Sequence, residues 1–186
     1  MSYSLIAKRL RLPLGFLIAG VYLYLTPTPS TTPLTLGVGA GIALVGVLIR
    51  GWASGHIIKN DRLATTGPYA HTRNPLYFGS FLIGAGFAIA AHWSLLLLVA
   101  AFWALIYAPT MERERANIRG RVPDAYEEYE RNVPAFVPRA RAWRPGGAPD
   151  RVPFDLGLYM KHGEWKAALG YAAVVLWIAV RLLRRS

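Results

Sequence analysis

The stretch Gly67-Pro68-Tyr69-Ala70-His71-Thr72-Arg73-Asn74-Pro75-Leu76-Tyr77-Phe78-Gly79 marks the point where a basic, polar loop runs into a long uncharged segment. Pro68 and Pro75 fix φ and remove two backbone donors, so the loop is bent and stiff. Asn74 precedes a proline and is pushed out of the helical region. A helix can therefore begin at Pro75, a residue favoured in the first turn. The stretch reads as a rigid, cationic turn held at the edge of apolar protein. Such a turn suits a small anionic or zwitterionic ligand.

Outward from this turn, charge is distributed very unevenly. Apolar residues make up 54% of the 186-residue chain and charged ones 17%, against roughly 25% charged in ordinary soluble domains. Residues 12–49 and 74–111 carry no Asp, Glu, Lys or Arg at all. A single membrane span needs about 20 apolar residues, so each gap holds two spans and a turn. The turns are visible as Thr26-Pro27-Thr28-Pro29-Ser30-Thr31-Thr32-Pro33 and Ala91-His92-Trp93-Ser94. The expected fold is an all-α polytopic membrane protein, one domain over residues 1–186. It has two transmembrane helical hairpins, a C-terminal membrane or interfacial helix, and a small cytoplasmic helical segment over 111–164. One small soluble domain could not hide four all-apolar helices.

The net charge of +11 sits at the borders of these segments. Lys and Arg cluster before the first span, in the 50–74 loop, between Glu112 and Lys166, and at the C-terminus, while the two hairpin turns carry none. The positive-inside rule then makes the N-terminus, the 50–74 loop and the 111–164 segment cytoplasmic. That basic face can also attract anionic lipid headgroups. Charge confined to membrane borders argues against a nucleic-acid partner. The absence of cysteine excludes disulfides, thiolate metal sites and cysteine nucleophiles. No His/Asp/Glu cluster has metal-ligand spacing, so no metal is expected. The run after Lys8-Arg9-Leu10-Arg11 lacks a small-x-small cleavage site, and prolines fill the place, so it reads as a span rather than a cleaved leader.

In order, residues 1–11 read as a cationic lead at the interface, followed by spans over 12–25, 34–52, 75–90 and 93–110. Gly37, Gly39, Gly41 and Gly46 on the second span and Gly79, Gly84 and Gly86 on the third are expected to let helices approach closely. The loop between those spans carries His56, Lys59, Asp61, Arg62, His71 and Arg73, with the histidines expected to be solvated or interfacial. Beyond the fourth span, Glu112 and Glu114 cannot share a helix face. One is expected to point back toward the membrane-border site and the other into water, and Arg113 has the same choice. Pro123 starts a helix whose Tyr126, Tyr129 and Val133 share a face expected to dock on the embedded helices, with its glutamates on the other face. Residues 139–153 read as an irregular connector. The last apolar run, Ala167 to Val180, is short for a span but reads first as a fifth membrane helix over 165–183 with its flanking cations snorkelling, and an interfacial helix is the alternative. The charge rule favours the second, because a span would carry Arg181, Arg184 and Arg185 to the outside.

Two motifs resemble those of the integral-membrane methyltransferases that include isoprenylcysteine carboxyl methyltransferase and phospholipid N-methyltransferase. The first motif stands as Gly67-Pro68-Tyr69, Arg73-Asn74-Pro75, Tyr77 and Gly79. In the second, Glu114 matches the first glutamate, Ile118 an aliphatic position, Tyr126 and Tyr129 a Tyr-x-x-Tyr, and Val137-Pro138 the close. The match covers roughly residues 60–138. Asn74 stands in place of a histidine common in the prenylcysteine branch, Arg115 in place of a second glutamate, and Val122-Pro123 in place of Phe-Gly.

The resemblance implies S-adenosylmethionine as cofactor and a lipophilic, membrane-resident acceptor entering sideways from the bilayer. It implies cofactor contacts from Gly67, Pro68, Tyr69, His71, Arg73, Asn74, Pro75, Tyr77 and Glu114, with Arg73, Glu114 and Arg113 in catalytic roles. Arg73 or His71 suits the cofactor's carboxylate and Glu114 its ammonium. The faces of Tyr69 or Tyr77 suit the sulfonium, and backbone groups of the 67–75 bend suit the adenine. Arg113 would orient a carboxylate acceptor, and Glu112 an amine. Isoprenylcysteine-type carboxylate O-methylation is the leading expectation, with phospholipid amine N-methylation, a lipophilic thiol, a nicotinamide-dependent reductase of sterol-reductase type and a non-catalytic scaffold as alternatives.

Overall fold

A computed structural model describes residues 3–57, 63–144 and 152–185. Lys59, Asp61 and Arg62 of the basic loop lie outside the described residues, as does the part of the connector from 145 to 151. The described residues contain helices and no strand. The fold is all-α, and three helices are long and apolar enough to cross a membrane: Pro33–Ser54, Leu95–Arg121 and Trp165–Leu183. Shorter apolar helices run Pro13–Leu25 and Pro75–Ala91. Large apolar side chains such as Phe16, Leu34, Leu97 and Leu176 stand exposed on these helices, the pattern of surfaces solvated by lipid.

Helix α1 spans Tyr3–Leu25, so most of the cationic lead is helical and continuous with the first apolar run. The turn 26–32 returns the chain to α2, Pro33–Ser54, which opens on a reciprocal cap between Thr32 and Thr35 with Pro33 in its first turn. A short 3₁₀ turn, Gly67–Ala70, follows the basic loop. Helix α3, Pro75–Ala91, begins at the proline that the sequence singled out.

Helices α2 and α3 form the tightest contact of the fold. Glycine and alanine at 39, 43 and 46 face glycine, isoleucine and alanine at 79, 83, 86 and 90. A Cβ placed on Gly39 would lie 2.3 Å from the carbonyl oxygen of Gly86, and one on Gly46 would lie 2.5 Å from that of Gly79. The backbones therefore touch where side chains would otherwise hold them apart, as small residues permit in a bilayer. Gly37 and Gly41 face open space. Gly84 and Gly86 both meet neighbouring helices, at Val99 and Gly39, so Gly84-Ala85-Gly86 serves packing.

The short turn at His92–Ser94 leads into α4, Leu95–Phe102, then a π turn, Trp103–Tyr107, then α5, Ala108–Arg121. The π turn has a local cause. Pro109 has no N–H to give the carbonyl four residues back. That carbonyl, on Leu105, instead accepts from the Tyr3 hydroxyl at 2.7 Å, so α1 leans on this segment. Helices α6, Pro123–Asn132, and α7, Leu156–His162, lie outside the long apolar runs.

Helix α8, Trp165–Leu183, lies antiparallel along the whole of α2. Glu164 meets Arg50 at one end, Tyr171 donates to the Ala40 carbonyl midway, and Ile178 packs with Leu36 and Ala90. Arg185 reaches the Thr28 carbonyl in the first hairpin turn. The helix is thus a fifth member of the bundle, and the interfacial placement favoured by the charge rule gives way to packing against α2.

Candidate functional site

The bend over 67–75 is built by its neighbours. Gly67 has φ +57°, and a Cβ there would lie 2.6 Å from the His56 ring, so glycine is needed both for the backbone and for the histidine. His56 is buried, which rules out the solvated half of the expectation, and its ring meets those of Trp52 and Phe154 edge-on. Burial holds its pKa below the usual histidine value.

The other side of the bend is clamped by the segment after α6. The Arg73 amide donates to the Pro134 carbonyl at 2.9 Å, the Arg139 amide to the His71 carbonyl at 2.9 Å, and the Trp143 amide to the Ala70 carbonyl at 2.9 Å. Thr72 donates to Phe136, Asn74 to Ala135, and Tyr129 to the Tyr69 carbonyl. Much of the bend's main chain is therefore spent on holding its shape. The apolar face of α6 (Tyr126, Tyr129 and Val133) packs with Leu63, Val122 and Trp143. It docks on the loop, not on the embedded helices as expected, because the bend lies between them.

Three motif side chains place polar groups around this bend. Tyr77, on the first turn of α3, donates to Glu114 Oε1 on α5 at 2.9 Å, and its ring meets Tyr107 edge-on at 5.3 Å. Tyr69 is buried, and its hydroxyl has no partner among the described residues. Burial pushes the Tyr69 phenol well up, the negative charges of Glu114 and Glu164 add to this, and Arg50 opposes it. Arg73 is the third. One of its terminal nitrogens pairs with Glu130 and contacts the Tyr126 hydroxyl at 3.3 Å, while its Nε is buried without a partner among the described residues.

Of the two glutamates at the start of α5, Glu114 faces inward to Tyr77, and Glu112 is exposed and paired with Arg115 at 3.0 Å. Arg113 is half-buried and pairs with none of the described acidic residues. His71 turns toward the connector, its Nδ1 2.9 Å from the Arg139 carbonyl. The structure thus brings Tyr69, Tyr77 and Glu114 together, sets Arg73 beside α6, and carries His71 and Asn74 into the clamp.

Sequence reasoning missed three residues. Glu130 is expected on the face of α6 away from Tyr126 and Tyr129, yet it bridges Arg73 and Arg115, 2.7 Å from the Arg115 Nε. Burial raises its pKa, but the hydrogen bonds from Arg115 and Arg73 outweigh this and hold the carboxyl below its usual value. Arg50 ends the small-residue stripe of α2 and forms a two-bonded pair with Glu164, at 2.9 and 2.7 Å. It also contacts Ser80 and the Leu76 carbonyl on α3. The four- and three-residue spacing of Gly39, Ala43, Gly46 and Arg50 was the available signal. Nothing local to Glu164 announced its partner.

Away from these polar groups, Phe136 enters an aromatic cluster with Phe78, Phe81 and Trp103, the closest ring centroids being 4.7 Å apart. The Trp103 Nε1 is buried there without a partner among the described residues. Among the described residues no group of three His, Cys, Asp or Glu could hold a metal ion.

Fold and site together define a polytopic, all-α membrane protein with a polar cluster at one end of its bundle. Residues 37–118, from α2 through most of α5, match the model of the family described as Phospholipid methyltransferase. The chain is 35% identical over 120 residues to the nickel-cobalt-cadmium resistance protein NccN of Alcaligenes xylosoxydans xylosoxydans, covering 62% of this chain and 54% of that one. It is 35% identical over 116 residues to the cobalt-zinc-cadmium resistance protein CzcN of Cupriavidus metallidurans, covering 60% and 51%. It is 30% identical over 95 residues to the protein-S-isoprenylcysteine O-methyltransferase of Schizosaccharomyces pombe, covering 47% and 40%. The chain thus spans about half the length, or less, of these curated relatives. No solved structure matches significantly. The resemblance to the isoprenylcysteine and phospholipid methyltransferases is shown by the family match and by the yeast enzyme.

Proposed function

We propose that the protein is a membrane methyltransferase that takes its methyl group from S-adenosylmethionine and delivers it to a lipophilic acceptor resident in the bilayer. The observation that carries this reading is the set of buried, unsatisfied polar atoms at the bend. The Tyr69 hydroxyl and the Arg73 Nε have no partner among the described residues and lie in the motif-bearing turn. Such groups cost stability when left unpaired, and a polar ligand would satisfy them. Glu114 offers a carboxylate for an ammonium, and Tyr69 and Tyr77 offer ring faces for a cation.

The cofactor supplies an electrophilic methyl on a sulfonium. The protein's task is then to hold donor and acceptor in line and to exclude water. Tyr77 fixes the Glu114 carboxylate through its hydroxyl, and the clamp over 129–143 fixes the bend. The family resemblance remains the ground for giving Gly67, Pro68, His71, Asn74 and Pro75 to the cofactor site. Their role is to shape the bend, with His71 and Asn74 acting through the clamp. By the positive-inside rule, the end that carries Arg50, Arg73 and the N-terminus faces the cytoplasm.

Among acceptors, a carboxylate is favoured. Arg113 is half-buried with no acidic partner among the described residues, whereas Glu112, the candidate for an amine, is solvated and already paired with Arg115. The name of the yeast relative agrees with carboxylate O-methylation, and the family match keeps a phospholipid amine as the second reading. The test compares methyl transfer from labelled S-adenosylmethionine to an isoprenylated cysteine analogue and to phosphatidylethanolamine. Transfer to the carboxylate that is lost in Arg113→Gln supports the first reading. Transfer to the amine alone replaces it with the second.

A further inference from the structure

All the acidic residues described in this chain, from Glu112 to Glu164, lie at the Arg50 end of the bundle or on the segments beyond it. The opposite end is made by the turn 26–32, the His92–Ser94 turn and the last turns of α8. Arg181, Arg184 and Arg185 are the only Lys, Arg, Asp or Glu described there, and none forms a salt bridge with a described residue. Residues 177, 181 and 184 follow one another at four- and three-residue spacing along one face of α8. The Arg181 guanidinium lies over the Trp177 ring, 5.6 Å from its centroid. The three arginines, Trp177 and Val180 line an open cavity of about 390 Å³.

We propose that this cavity binds the phosphate headgroup of an anionic phospholipid in the leaflet that meets the hairpin turns. Three uncompensated positive charges on the side that the charge rule disfavours need a counter-charge that stays in place. An anionic lipid supplies one, with phosphate for the guanidinium forks. Trp177 and Val180 give the cavity an apolar flank where the glycerol and first acyl carbons would lie, the usual depth of a tryptophan belt. The exposed Leu176 continues that apolar surface toward the bilayer core. A free phosphate would use the guanidinium groups but not the apolar flank, so the lipid is the better match. The site is independent of the methyl-transfer reading, because it lies at the far end of α8 from Glu164.

The experiment is native mass spectrometry of the detergent-purified full chain with phosphatidylglycerol, phosphatidylcholine or inorganic phosphate added. Phosphatidylglycerol should be retained on the order of tenfold better than phosphatidylcholine, and this preference should vanish in R181Q/R184Q/R185Q and weaken in Arg181→Gln alone. A thermal melt of each variant checks that the bundle remains folded. Equal retention of both lipids, an unchanged preference in the folded triple variant, or phosphate competing as well as the lipid would each overturn the proposal. The chain lacks cysteine, so Arg184→Cys and Ser94→Cys can be labelled with an impermeant maleimide in sealed vesicles. Both should label from the side opposite to Glu112→Cys. Labelling of Arg184→Cys from the Glu112 side would remove the site altogether.

Discussion

The Tyr77 hydroxyl donates to Glu114 at 2.9 Å across 37 residues of sequence. This bond ties the first turn of α3, which carries the bend's end, to the second turn of α5. It turns Glu114 inward, while Glu112 is exposed and paired with Arg115. Glu114→Gln keeps the shape and removes the charge, so the affinity for S-adenosylmethionine should fall by about 10- to 100-fold, as expected for a hydrogen bond to a charged group. Glu112→Gln should leave it within about twofold. Calorimetric titration of both variants checks the contrast, and equal losses would show that the inward glutamate has no special role.

The α2–α3 contact predicts an asymmetric response to added bulk. Gly46→Val puts a side chain where the Gly79 carbonyl lies and should destabilise by about 1–3 kcal/mol or more. Gly41→Val, on the open face of the same helix, should be near neutral. Thermal melts in one detergent compare them, and similar shifts would contradict the close backbone approach.

The coupling of Gly67 to His56 gives a third test. Gly67→Ala suffers both from φ +57° and from the His56 ring, the backbone term alone being about 1–2 kcal/mol. His56→Ala should relieve the steric part only. In a double-mutant cycle the two substitutions together should then cost clearly less than their sum. Strict additivity would mean that the ring does not abut the glycine.

Acid should loosen the clamp. The folded Glu130 carboxyl titrates below its ordinary value of 4.5. Its contribution to stability is therefore present above about pH 4.5 and lost as pH falls through the lowered folded value. His56 works in the same direction from higher pH. Its folded pKa lies below 6.5, so the unfolded chain takes up its proton first, and stability declines as pH falls below about 6.5. Glu130→Gln should flatten the lower part of the profile and His56→Phe the upper part, as read by melting temperature against pH. A profile unchanged by Glu130→Gln would deny the bridge between Arg73 and Arg115.

How much of this could be read from residues alone depends on the range of each contact. The apolar runs, the proline-capped start of α3 and the opposed faces of Glu112 and Glu114 follow from spacing and backbone sterics, and each is found in the structure. The small-residue stripes announced close packing, though not that α2 and α3 would be the pair. What escaped were contacts set by tertiary placement. The sequence around Glu130 marks a solvated helix face, and only the docking of α6 on the bend turns that residue toward two arginines. The last run reads as a fifth membrane helix despite its short length and flanking cations, and the structure packs it along α2. Its contacts with Arg50 and with the Thr28 carbonyl could not be inferred from length. His56 had no local sign of burial, because its cover comes from Gly67 and Phe154.

The central claim is that the bend and Glu114 hold a methyl donor. The most direct measurement is calorimetric titration of the detergent-purified protein with S-adenosylmethionine and its demethylated product, with NADPH as control. The account predicts saturable binding of the first two, no binding of NADPH, and a loss of affinity in Arg73→Ala and Glu114→Ala with the fold intact. Binding of NADPH alone, or of none of the three by a folded protein, would contradict it.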